Sequence, residues 1–292
     1  MSRPITPPTS KSARLRELLA GPVPVTAVGA HDGLTAKLVE RAGFDAVWCS
    51  SFEVSASYGL PDASLVTMTQ FLSAAEAMDA ITDIPIVADC DTGFGGPLNV
   101  AFAVERYERA NIAAMCIEDK LFPKMNSFAD AAQDLLPTEE FVLKIKAGKE
   151  AQSDDRFLLI ARTEALIAGQ CIDEALYRVH AYAEAGADAV LVHSKSSRPD
   201  EILELGARWD NRIPLVAVPT TYASVSEQSL FEAGYRLVIY ANQGMRAAVK
   251  GMREVLGKLR VAGHAESVHD DIATMSEIFE LQGMTAAFRT AP

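Results

Sequence analysis

Four short stretches hold most of the side chains able to do chemistry. They are ADCDTGFGG with Asp89 and Asp91, IEDKLFPKMNS with Glu118 through Ser127, ARTEALIAG with Arg162 and Glu164, and VLVHSK with His193. Carboxylates two apart on an extended strand share a face. Asp89 and Asp91 would therefore converge and repel unless a cation sits between them. Glu118 from a neighbouring strand would complete an oxygen-rich set suited to Mg²⁺ or Mn²⁺. The competing role for Asp91 is to cap the D-T-G turn that follows it. A core-facing Arg162 is costly unless paired, so it is expected to meet either the acidic cluster or a ligand carboxylate or phosphate. His193 suits a core position and a ligand-facing one equally well. Lys120 and Lys195 leave a Schiff-base site open. Gly93, Gly95 and Gly96 let the backbone approach a ligand, but Leu98 stands where a dinucleotide fingerprint needs its last glycine.

These residues fall at regular places. Near-continuous apolar runs, as in strands covered on both faces, occur at 23–30, 45–51, 84–91, 113–119, 156–164, 188–194, 213–220 and 236–242. Stretches with three-and-four apolar spacing, such as GLTAKLVERAGF and IDEALYRVHAYAEAGA, lie between them and predict helices. Several end in Ala-Gly and run straight into the next strand, as helix-to-strand turns do. Eight strand–helix units with no break in composition predict a single (β/α)₈ barrel, with a doubly wound open sheet as the structural alternative. A barrel builds its site at the C-terminal strand ends. Those ends carry His31-Asp32, Ser50-Ser51, Asp89 and Asp91, Glu118 and Lys120, Arg162 and Glu164, His193, Thr220 and Asn242. Residues 1–12 are expected to form a flexible arm, 120–140 an active-site loop, and 266–292 a helical extension of the barrel domain 13–292.

Composition narrows the partners. The chain has 292 residues, 49% apolar and 23% charged, with a formal net charge of −12. Such acidity argues against nucleic acid and anionic membranes and requires a cation or local positive cluster for an anionic ligand. Cys49, Cys90 and Cys116 lie in apolar runs and read as buried free thiols, and no C-x-x-C pair occurs. The N-terminal stretch lacks the apolar core of a signal peptide, and no run approaches membrane-spanning length. A soluble, cytoplasmic protein is expected.

Taken in order, the four stretches resemble the phosphoenolpyruvate mutase/isocitrate lyase superfamily, over about residues 25–285. They look most like its phosphoenolpyruvate mutase and phosphonopyruvate hydrolase branch. The resemblance implies a (β/α)₈ barrel whose last helix is exchanged between subunits of a homodimer or homotetramer, the extra C-terminal helix in 266–292 being the one expected to exchange. It also implies Mg²⁺, with Mn²⁺ or Co²⁺ as substitutes, ligated directly by Asp89 and through waters by Asp62, Asp91 and Glu118. Ser50, the amides of Ser51 and Phe52, and Arg162 would anchor a pyruvate moiety. Asn126, Ser127, Lys120 and His193 would cradle a phosphoryl group. The carbon–carbon lyases of the superfamily carry a K-K/R-C-G-H loop, and Lys120 to Ser127 contains neither Cys nor His. The mutase pattern, E-D-K followed after five residues by N-S, is met by Glu118-Asp119-Lys120 and Asn126-Ser127, whereas hydrolases commonly place Thr at the Asn position. FEVSASYGLPDA is more hydrolase-like, Ser51 replaces a glycine usual in mutases, and FADAAQDLLP lacks a D-G-R segment. The implied activity is Mg²⁺-dependent interconversion of phosphoenolpyruvate and 3-phosphonopyruvate, a P–C bond-forming step of phosphonate biosynthesis. Hydrolysis of phosphonopyruvate to pyruvate and phosphate is the first alternative, and 2-oxoacid lyase chemistry the second.

Overall fold

A computed structural model of the chain describes residues 10–284. The eight apolar runs become eight parallel strands closed in sequence order: β1 Val25–Ala30, β2 Ala46–Cys49, β3 Ile86–Asp89, β4 Ala114–Glu118, β5 Leu158–Thr163, β6 Ala189–Val192, β7 Leu215–Ala217 and β8 Tyr235–Tyr240. The open-sheet alternative is excluded, because β8 pairs with β1 through Val25 and Leu237.

Helices cover the strands: α1 Lys11–Leu19, α2 Gly33–Arg41, α3 Ser51–Ser57, α4 Met68–Asp79, α5 Pro97–Arg109, α6 Thr138–Ala151, α7 Ile172–Glu184, α8 Asp200–Arg208, α9 Glu227–Glu232 and α10 Gln243–Ala262. A 3₁₀ turn at Ala265–Asp271 and α11, Met275–Leu281, follow. Side-chain oxygens of Asp32, Ser50 and Thr67 satisfy free amides at the starts of α2, α3 and α4. The helix α1 begins at Lys11, with Ser12 buried, so 11–12 belong to the folded body rather than to an arm. Residues 1–9 of the expected arm, and 285–292 of the expected extension, lie outside the described residues.

Strand alternation splits the core in two. One set, including Val28, Val47, Ala88 and Ile117, packs outward against the helices. The other fills the barrel with Ala27, Trp48, Val87, Cys116, Ile160, Leu191, Val216 and Ile239. Leu15 and Leu19 of α1 join this inner core beside the strand starts, closing the end opposite the site. Two residues beyond the last inner apolar side chain stand Ser50, Asp89, Glu118, Arg162 and His193. The alternation that builds the core thus aims the polar rim inward.

Two local features differ from expectation. The strand β3 stops at Asp89, and Asp91 has a positive φ of 50°, so a turn rather than strand alternation brings it to the rim. Gly93, at φ 84°, lies where a Cβ would fall 2.5 Å from Val100 Cγ2. That glycine lets the start of α5 pack closely. None of Gly93, Gly95 and Gly96 lines the site.

The last barrel helix stands apart. None of the 20 residues of α10 is buried, and Val249, Met252 and Leu256 are 42%, 58% and 63% exposed. Their spacing places them along one helical stripe.

Candidate active site

At the C-terminal mouth the rim encloses a cavity of about 230 Å³. Trp48 lines its deeper wall. Ser50, Ser51 and Phe52 line one side at the start of α3, while Arg162 and His193 contribute from β5 and just beyond β6. The β4–α6 segment closes over them with Lys124, Asn126, Ser127 and Phe128. Asp62 and Asp89 complete the acidic side, and Thr220 and Asn242 lie opposite. Of the residues expected to bind substrate, Ser50, Ser51, Phe52, Asn126, Ser127, Arg162 and His193 border one cavity. Asp91, Glu118 and Lys120 stand behind its wall.

The acidic cluster is tied together by a lysine that sequence reading did not single out. Lys124 Nζ lies 2.9 Å from Asp62 Oδ1 and 3.0 Å from Asp91 Oδ1. The Ser51 hydroxyl donates to Asp89 Oδ2 at 2.8 Å and is 3.4 Å from Lys124 Nζ. Burial alone would lower the pKa of Lys124, but Asp91, Glu118, Asp62 and Asp89 outweigh it and hold the ammonium well above its ordinary range. Burial pushes Asp91 up. It also raises Glu118 to about 7, with Arg162 and Lys124 partly opposing.

Glu118 Oε2 is 3.2 Å from Arg162 Nε, yet neither Glu118 oxygen has a hydrogen-bond partner among the described residues. Among those residues no three His, Cys, Asp or Glu side chains enclose an ion by themselves. A buried cluster of carboxylates with unused oxygens fits Mg²⁺, which keeps several of its waters. Asp89 also accepts from the Asp91 amide at 3.3 Å. The capping role considered for Asp91 therefore belongs to Asp89.

A second network centres on Glu164. Its Oε1 is 2.6 Å from both Arg162 Nε and Nη2, and 2.9 Å from His193 Nδ1. Its Oε2 accepts from the Ser127 hydroxyl and lies 3.1 Å from Lys120 Nζ. Burial works against its ionisation, but Arg162, His193 and Lys120 hold the carboxylate well below its ordinary range. Lys120 also donates to Met125 O at 2.8 Å and to Ser127 at 3.0 Å. It thus braces the loop instead of reaching the cavity, which corrects its expected place in a phosphoryl cradle.

Burial lowers the His193 pKa, with Glu164 partly opposing. His193 Nδ1 sits between Arg162 Nη2, which can only donate, at 2.8 Å and Glu164 Oε1, which can only accept, at 2.9 Å, so its tautomer sets which of the two it bonds. Its Nε2 has no partner among the described residues. The edge of Phe128 packs on this ring, with centroids 5.4 Å apart.

The three cysteines expected to be buried thiols are free and buried, while Cys171 is exposed. His31, expected at the rim, pairs instead with the buried Glu53, Nδ1 to Oε2 at 3.1 Å.

A closed (β/α)₈ barrel with a buried carboxylate cluster facing cationic and amide groups at its C-terminal mouth has the architecture of a barrel enzyme. A family described as phosphoenolpyruvate phosphomutase matches residues 15–260, and the chain belongs to it. Phosphonopyruvate hydrolase of Variovorax sp. (strain Pal2) is 45% identical, covering 94% of this chain and 95% of that protein. A crystal structure of phosphoenolpyruvate phosphomutase from Streptomyces platensis subsp. rosaceus superposes with a TM-score of 0.94 at 48% identity, covering 95% of this chain and 97% of that one. Phosphonopyruvate hydrolase solved with oxalate and Mg²⁺ gives 0.91 at 42% identity, covering 96% and 98%.

Proposed function

We propose that the protein is a Mg²⁺-dependent mutase interconverting phosphoenolpyruvate and 3-phosphonopyruvate. The observation that carries this reading is the engagement of Asp62 and Asn126 at the cavity. Asn126 Nδ2 donates to Asp62 Oδ2 at 2.7 Å, and its Oδ1 accepts from Phe128 N at 3.0 Å. Lys124 occupies both Asp62 oxygens, at 2.9 and 3.0 Å. Position 126 thus offers neither a hydroxyl nor a free base, and Asp62 is tied to Lys124 and Asn126. Hydrolysis needs such a group; phosphoryl migration needs positioning and electrostatic stabilisation.

The bound metal would supply Lewis acidity for developing enolate charge, held by Asp89 with Asp91, Glu118 and Asp62 through waters. Arg162, Ser50 and the amides at the start of α3 hold the pyruvate oxygens. As the bond from enol oxygen to phosphorus breaks and the bond from phosphorus to C3 forms, the polar groups on the phosphoryl side are Asn126 Nδ2 and His193 Nε2. Phe128 and the closed loop keep water out.

Hydrolysis is the second reading, favoured by the 45% identical hydrolase. ³¹P NMR of the protein with phosphonopyruvate and Mg²⁺ separates the two. A phosphoenolpyruvate resonance without inorganic phosphate is expected, and phosphate with pyruvate overturns the proposal. Asn126→Ala should lower turnover about 10²-fold while Mg²⁺ binding, measured by calorimetry, stays within twofold. Unchanged turnover removes Asn126 from the mechanism. The bare stripe of α10 further supports a homo-oligomer in which this helix lies on a second copy. In this reading α10 takes part in the exchange between copies.

A further inference from the structure

Asp119, the middle residue of Glu118-Asp119-Lys120, takes no part in the site described above, although both its neighbours do. It is fully buried and points away from the cavity into the layer between β5 and α7. Its Oδ1 accepts from the Glu164 amide at 2.8 Å, and its Oδ2 from Thr163 Oγ1 at 2.8 Å and Tyr182 OH at 2.7 Å. Arg178 Nη1 lies 3.2 Å from the same Oδ2 and donates to Leu136 O at 3.0 Å. Arg178 is itself held by Glu174 at 2.8 Å.

Leu136 belongs to the returning end of the loop. Its amide donates to Asp119 O at 2.8 Å, and Leu121 N donates to Asp134 O at 3.0 Å. Lys120 and Leu135 form an antiparallel bridge between them. The outgoing and returning chains are therefore zipped into a neck, and residues 122–133 form the excursion that carries Lys124, Asn126, Ser127 and Phe128. Lys120 and Asp134 also lie on this neck, and Arg178, with Glu174 behind it, is the cation that meets Asp119 there.

We infer that Asp119 and Arg178 are positioning residues that fix the neck of the gate to the backbone bearing Arg162 and Glu164. The Asp119 amide donates to Arg162 O at 3.1 Å, and its side chain holds the next two residues of that strand end. One buried carboxylate thus sets the height of the gate and the placement of the substrate-facing guanidinium. Closure delivers Asn126 and Ser127 to a fixed distance from Arg162 because both are hung from the same atoms. The inference rests on the proposed closing of this loop over a small anion, but not on which product is formed.

The experiment compares Arg178→Gln, Arg178→Lys and Asp119→Asn in the full-length protein, with Mg²⁺ and oxalate as the closing probe. Hydrogen–deuterium exchange at residues 121–134 should rise about tenfold in Arg178→Gln, with β1 to β3 unchanged. Turnover of phosphonopyruvate should fall between about 10-fold and 10²-fold, with Mg²⁺ affinity within twofold. Arg178→Lys, which restores one donor to Leu136 O or Asp119, should recover part of both losses. Asp119→Asn should give the larger fall, since an amide nitrogen in place of Oδ2 removes the acceptor shared by Thr163, Tyr182 and Arg178. If that variant does not fold, Arg178→Gln decides, because it leaves the Thr163, Tyr182 and Glu164 bonds to Asp119 in place. A folded Arg178→Gln with wild-type exchange and turnover overturns the inference. Pyruvate and phosphate as products would overturn the proposed mutase activity and leave the exchange test standing.

Discussion

Lys124 shows how much of the site depends on one side chain reaching across the sequence. Its ammonium sits between Asp62 and Asp91, and a buried charge stripped of its partner is expensive. Lys124→Met should therefore lower unfolding stability by about 3 kcal/mol in urea titrations, and saturating Mg²⁺ should return part of that loss. A midpoint equal to wild type would show that the lysine is not the counter-charge of the cluster. At this scale the sequence was only partly legible. Asp89, Arg162 and His193 follow from strand alternation, because each stands at a strand end two residues beyond an inward apolar side chain. Lys120 and Lys124 lie four apart in a loop without periodicity, and nothing local tells which turns toward Asp62. Hence Lys120 was expected at the phosphoryl group and Lys124 passed unnoticed. A buried acidic cluster demands a cation, and that demand was the signal available.

Among the elements, the strands were the most legible and α10 the least settled. Strands covered on both faces must be continuously apolar, so all eight stood out as runs. A short polar turn ended β3 earlier than its run suggested, which moved Asp91 off the strand. In α10 the apolar stripe is as regular as in its neighbours, but the barrel does not cover it. Burying such a stripe on a second copy would stabilise by about 25 cal/mol per Å². Leu256→Glu is expected to shift the sedimentation coefficient toward that of a single chain while the circular dichroism stays unchanged. A wild-type protein that already sediments as a monomer would end the exchange reading.

The whole molecule is acidic, with a net charge of −12, and its proposed substrate is an anion. Lys124 and Arg162 are both committed to carboxylates, so the protein's own cations leave little attraction to spare. Removal of divalent metal with EDTA should abolish oxalate binding in calorimetry as well as turnover, and Mg²⁺ should restore both. Full activity in EDTA, together with covalent trapping by borohydride, would instead point to a lysine Schiff base. Overall charge and fold class could be read directly from composition and period. The identity of the reaction could not, since the groups proposed to bear on it, Asp62, Lys124 and Asn126, meet from positions distant in sequence.

The neck has a consequence for how such barrels diversify. Because the excursion leaves and re-enters through the paired residues Lys120 and Leu135, its ends are fixed whatever lies between them, and loop length costs little in closure entropy. The segment is in effect a cassette on a common chassis. Replacing it with the corresponding piece of a relative is a graft between two anchored points. The strands need not shift, and new chemistry can be tried without refolding the barrel.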